Sequence, residues 1–119
     1  VDSGLAFIAS RMSGTSKAIM SHMALGSSTT NAAANQTDLV SVLGSREALD
    51  STTIAGTNDE QIQYQASFEA GDATGAVTEA GIFNAATAGD MLCRTKFDVV
   101  NKAADDTMSV TWTITLSAS

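Results

Sequence analysis

The sequence predicts an all-β protein, an antiparallel β-sandwich or small barrel of about six strands with a short N-terminal helix. Three observations carry that expectation. Residues 61–68, "QIQYQASF", set Ile62, Tyr64, Ala66 and Phe68 against Gln61, Gln63, Gln65 and Ser67. That is the period of two of a strand with one wet face. Residues 108–117 repeat the pattern, with Met108, Val110, Trp112, Ile114 and Leu116 alternating with Ser and Thr. Short turns rich in Gly, Asn and Asp punctuate the rest, and proline is absent, so nothing removes a ladder donor.

Taken in order, the chain opens with Leu5, Ile8 and Met12 at helical spacing. A helix is predicted over 3–13, with Ser3 as its cap and Gly14 as its stop. So short a helix is marginal alone, and its apolar stripe must dock on something. The mostly apolar "KAIMSHMAL", 17–25, reads as a buried strand ending at Gly26. "GSSTTNAAANQT" is a loop of small polar residues. In "TDLVSVLG", Thr37 or Asp38 is placed to cap one helical turn, with Leu39, Val42 and Leu43 facing inward and Gly44 ending it. Residues 46–55 form a strand, "GTND" at 56–59 a turn, and 61–68 the returning strand, so 46–68 is predicted as a hairpin. After a loop at 69–75, strands at 77–83 and 91–97 flank the turn "NAATAGD", 84–90. "VNKAADD" is a loop before the last strand. The short turns favour an antiparallel meander, and burying every apolar face requires two packed sheets or a closed barrel.

The chain has 119 residues, which suits one domain, 1–119, able to bury about two-thirds of its unfolded surface. Thirteen acids against six bases give a net charge of −7. That excludes a nucleic-acid partner, whose phosphates need Lys and Arg, and argues against an anionic membrane surface. The charge is uneven. Residues 1–37 hold Asp2 against Arg11 and Lys17, so the first third is near neutral and is the end expected to touch a partner. Leu5, Ile8 and Met12 are its interface candidates. The lone cysteine makes no internal disulfide. No apolar run reaches membrane-spanning length, and "VDSGLAFIASRMSG" lacks the features of a signal peptide. The expectation is a protein made in the cytoplasm.

Sites of chemistry are scarce. One histidine, His22, and one cysteine, Cys93, cannot supply a zinc set. Asp59–Glu60 and Asp105–Asp106 do not fit a calcium loop and read as solvated turn acids. There is no G-x-S-x-G elbow for a nucleophile and no glycine-rich phosphate cradle. Cys93 reads as a buried, inert thiol. Glu79 is the acid inside the predicted strand 77–83. Paired with a second acid it could do proton transfer. With 84–90 as the turn, it is instead expected to pair with Arg94 or Lys96 on the neighbouring strand, in an exposed cross-strand ion pair. Asn35-Gln36-Thr37 fits a glycosylation triplet, which means little without a secretion signal. Aromatics do not interleave with bases, so there is no stacking platform for single strands. No catalytic residue, cofactor or metal is expected.

Three fragments resemble a family of tailed-bacteriophage virion proteins: "MALGSSTTNAAANQTDLVSVLGSREAL" at 23–49, "YQASFEAGDATGAVTEAGIFNAATAGDMLCRTKF" at 64–97, and "VVNKAADDTMSVTWTITL" at 99–116. Within the second, "TEAGIFNA" followed by "MLCRTKF" is the most recognisable part. The family includes small capsid decoration or cement proteins, and front modules of tail fibres and baseplates are similar. The resemblance implies a non-enzymatic, all-β virion component that self-associates, expected as a homotrimer. Its partner would be the major capsid protein, or tail and baseplate proteins for a fibre or adaptor module. A fibre would continue into a shaft, whereas this sequence stops after one domain at "LSAS", which favours the decoration role. In a fibre module, Tyr64 and Trp112 could stack on host glycan, although their strand patterns point both rings inward.

Overall fold

The computed structural model describes residues 1–14 and 17–117. It is mostly β, with two antiparallel sheets and one short N-terminal helix. Helix α1 spans Asp2–Met12, and seven strands follow: β1 His22–Gly26, β2 Val42–Ala48, β3 Ser51–Ala55, β4 Gln61–Phe68, β5 Gly75–Phe83, β6 Met91–Lys102 and β7 Met108–Thr115. The first sheet has the order β2-β1-β5-β6 and the second β3-β4-β7. This is not the predicted meander, because β1 pairs with β5 and β4 with β7. Between the sheets lies one apolar core of Met23, Leu25, Tyr64, Ala66, Phe68, Val77 and Ile82, all buried.

The alternating segments behave as their period demands. Tyr64, Ala66 and Phe68 of β4 are buried, and β7 alternates half-buried with exposed residues along its length. Trp112 faces Tyr64 across the β4–β7 ladder and packs half-buried against the core. The hairpin of β3 and β4 forms as expected, pairing Ile54 with Ile62 and Thr52 with Tyr64.

Four expectations are corrected. The strand expected over 17–25 is confined to His22–Gly26. The expected helical turn at 37–44 is instead the approach to β2, with Leu39 buried, Leu43 half-buried and Val42 exposed. The strand expected over 46–55 is two strands, broken at Leu49–Asp50. There the chain crosses between sheets: the Leu49 N–H donates to Ser21 O beside the first sheet, and the Asp50 N–H to Gln65 O in the second. β6 runs five residues past its predicted end, through Asp98–Lys102, paired with Gly75–Val77.

β5 explains the layering. Every residue from Val77 to Phe83 is buried, so both faces of the first sheet are covered at this strand. Ala80 and Ile82 face the shared core. On the other face, Ala24, Phe83 and Met91 form a second cluster with Leu39, and the segment 27–41 lies over it. Its close approach depends on glycine. A Cβ on Gly26 would sit 2.6 Å from Ser41 O, and one on Gly81 would sit 2.9 Å from the Leu39 side chain.

Candidate functional site

Glu79 is the residue with the greatest chemical potential, and its place differs from the exposed pair expected. Its Cα stands opposite Lys96, but its carboxylate pairs with Arg94, whose Nε donates to Oε1 at 2.9 Å, and both side chains are fully buried. Three backbone N–H groups of the covering segment complete the shell, each at 2.9 Å: Val40 to Oε1, and Ser28 and Ser41 to Oε2. A bulge at Thr78 turns the next hydroxyl onto Ser28 as well, Thr78 Oγ1 donating to Ser28 O at 2.9 Å. Arg94 extends the clasp, its Nη1 donating to Thr30 O at 2.9 Å and Gln36 Oε1 at 3.3 Å. Burial alone would raise the Glu79 carboxyl. The donors from Ser28, Arg94, Val40 and Ser41 outweigh it and hold the group below its ordinary range. The arrangement ties the 27–41 segment to the sheet, since those N–H groups have no strand partner of their own.

The other reactive side chains are also engaged locally. His22 Nδ1 shares a 2.7 Å hydrogen bond with Ser21 Oγ. Asp106 Oδ2 accepts from Ala103 N, and Glu60 Oε2 from Asn58 N, each within its own turn. Arg46 lies 3.6 Å over the Phe83 ring and donates to Ala85 O and Ala88 O, fixing the 84–90 turn. Asn35 is exposed in the covering segment. Among the described residues no three His, Cys, Asp or Glu side chains gather as a metal site, and no helix is long and apolar enough to cross a membrane.

Cys93 is half-buried on β6, and burial pushes its thiol up to about 12. At pH 8 the thiolate, the only reactive form, is then scarce. Ellman's reagent is expected to modify folded Cys93 at less than about a tenth of the free-cysteine rate, and fully once denaturant unfolds the chain. Rapid labelling of the folded protein would contradict this placement.

Helix α1 supplies the second feature. The sequence-level stripe of Leu5, Ile8 and Met12 does not dock. Leu5 is 68% exposed and Met12 84%. The docked face is Gly4, Phe7 and Ser10. Gly4 rests against the backbone of Leu92, where a Cβ would overlap the carbonyl oxygen, and Ser3 Oγ donates to Met91 O at 2.7 Å. Small residues let the helix approach the strand, and the one large residue among them, Phe7, enters the core. A small–large–small spacing was the signal available in the sequence, and hydrophobicity counting passes over it.

Docked this way, α1 forms one wall of an apolar cleft of about 490 Å³, with the inner face of β3-β4-β7 as the other. Ile8 and Met12 line the helix side, Ile19 the chain beyond it, and Ile54 and Leu116 the sheet side. Leu5 lies outside the lining. Among the described residues Arg11 is the only charged one in the wall, its Nη1 donating to Lys17 O at 3.2 Å. Tyr64 closes the floor and is buried. Of the interface candidates, the structure thus brings Ile8 and Met12 to the cleft and leaves Leu5 exposed beside them. Ile19, Ile54 and Leu116, far apart in sequence, were not foreseen.

No protein-family model matches the chain, and no curated protein matches it.

Proposed function

We propose that the chain is a non-enzymatic structural component of a tailed-phage virion, a β-sandwich decoration protein that binds the assembled capsid and stabilises it. The apolar face around the cleft carries this reading. In an acidic chain, Met12, Ile19, Ile54 and Leu116 are each more than half exposed, and a concentration of exposed apolar side chains marks an assembly surface. The buried Glu79–Arg94 pair supports it from the other side, because the one buried acid among the described residues is spent on its own loop and faces no cleft. The resemblance of 64–97 to phage virion proteins supplies the particle, and both members of the clasp fall inside that stretch.

Binding only the assembled lattice stabilises that lattice by mass action. Particles stripped of this protein are expected to lose their genome at a lower temperature, and re-addition of the purified chain should restore the original transition. Stripped and replete particles that melt alike would contradict the decoration role.

A further inference from the structure

We infer that the cleft beside α1 receives an inserted segment of the major capsid protein, apolar in its body and carrying a carboxylate, and that Arg11 selects the segment by that carboxylate. The inference rests on the decoration reading above and names the partner chemistry that reading leaves open.

Shape is the first argument. The cleft is about 490 Å³, within the range of roughly 300–1,000 Å³ for sites that enclose a guest. It is a slot, with Ile8 and Met12 on one wall, Ile54 and Leu116 on the other and buried Tyr64 beneath. A flat surface laid over the mouth would leave the walls and floor without contacts. A helix or extended segment that enters can set apolar side chains against both walls at once.

Charge is the second argument, and it fixes the polar group of the guest. The chain has six bases. Lys17 pairs with Asp90, Arg46 with Asp38 and Arg94 with Glu79. Lys102 is buried, its Nζ donating to Glu69 O at 2.9 Å. Among the described residues that leaves Arg11 and Lys96 as exposed bases without a carboxylate partner, and Arg11 is the one lining the cleft. Its hydrogen bond to Lys17 O uses one of the five N–H donors of a guanidinium, so the rest of the fork is open to a carboxylate. The surroundings are not free of acids. Asp2 lies at the other end of α1 from Arg11, and Glu60 borders the cleft where its carbonyl accepts from Leu116 N. Both repel an incoming carboxylate, which places the guest's acid at the Arg11 end and sets its direction in the slot.

The test uses particles stripped of this protein and the purified chain, with binding read by co-sedimentation. Arg11→Glu is expected to weaken binding at least about tenfold, with Arg11→Lys falling between it and the wild type. Wild-type binding should weaken as salt rises, and Arg11→Gln should flatten that dependence. Lys96→Glu makes the same change in net charge at an exposed position outside the lining, and should bind as the wild type does. Circular dichroism checks each fold, and Arg11→Lys and Arg11→Gln carry the test should Arg11→Glu unfold. A photo-crosslinking side chain placed at Met12, which is 84% exposed, should capture a capsid-protein peptide with Asp or Glu among apolar residues. Arg11→Glu binding as tightly as the wild type would overturn the inference, as would equal weakening by Lys96→Glu or a captured peptide without an acid. If Met12→Glu still weakens binding in those cases, the decoration role stands and the carboxylate alone fails. A wild-type chain that does not return to stripped particles would overturn the decoration role itself, and the inference with it.

Discussion

Glu79→Gln is expected to destabilise the fold by about 3–5 kcal/mol, the typical consequence of leaving one member of a buried pair without its partner. The variant loses the charge facing Arg94, which is fully buried. It also turns an amide NH2 toward backbone N–H groups that need an acceptor. For a domain of this size the melting temperature should fall by roughly 10–20 °C. Hydrogen exchange should show residues 27–41 opening first, since the carboxylate holds three of their N–H groups. The pH dependence follows from the direction of the shift. The folded carboxyl titrates below its unfolded value of about 4.3, so the clasp's contribution is fully present above that value. It is lost as the pH falls through the lower, folded value. The wild type and Glu79→Gln should therefore differ most near neutrality and converge in acid. A gap that stays constant down to pH 3 would contradict the assignment.

Gly4→Ala is expected to destabilise the protein by about 1–3 kcal/mol, the range for forcing an extra carbon into a packed contact. The direction is diagnostic. At an exposed helical site the same change would stabilise by up to about 1 kcal/mol through helix propensity. Here the new methyl meets the Leu92 carbonyl, which is backbone and cannot turn aside. The helix must lift, taking Phe7 from the core and Ile8 and Met12 from the cleft wall. Thermal melting together with faster exchange of amides in Asp2–Met12 would record this. A raised melting temperature would show that the helix does not rest on β6.

These two residues mark where sequence reasoning stops. β4 and β7 were legible because each has one wet face, and period two survives in the residues themselves. The β5–β6 hairpin and its turn were legible from two apolar runs around a small polar gap, and Arg94 was one of the two partners offered for Glu79. The burial of that pair was not legible. An acid in an otherwise apolar strand reads as a solvated ion pair unless something covers it. The cover is a segment of small polar residues that contributes backbone donors and has no hydrophobic pattern. Gly26 and Gly81 were its trace, since both stand where a side chain would exclude it. β2 was misread because Leu39, Val42 and Leu43 imitate a helical turn, while an edge strand with exposed Val42 has no alternation to oppose that reading. The cleft was illegible for another reason. Ile8, Met12, Ile19, Ile54 and Leu116 come from four separate stretches, and only the crossing of β3, β4 and β7 beneath α1 joins them. The near-neutral first third does contribute one wall of that cleft, although the helix face assumed to dock is the one left bare.

The most direct test of the central claim is the copy number of this chain per purified virion, measured by quantitative mass spectrometry against the major capsid protein. The decoration role predicts a number comparable to that of the capsid protein. A value of only a few per particle would contradict it and place the chain on the tail, as a fibre or baseplate adaptor.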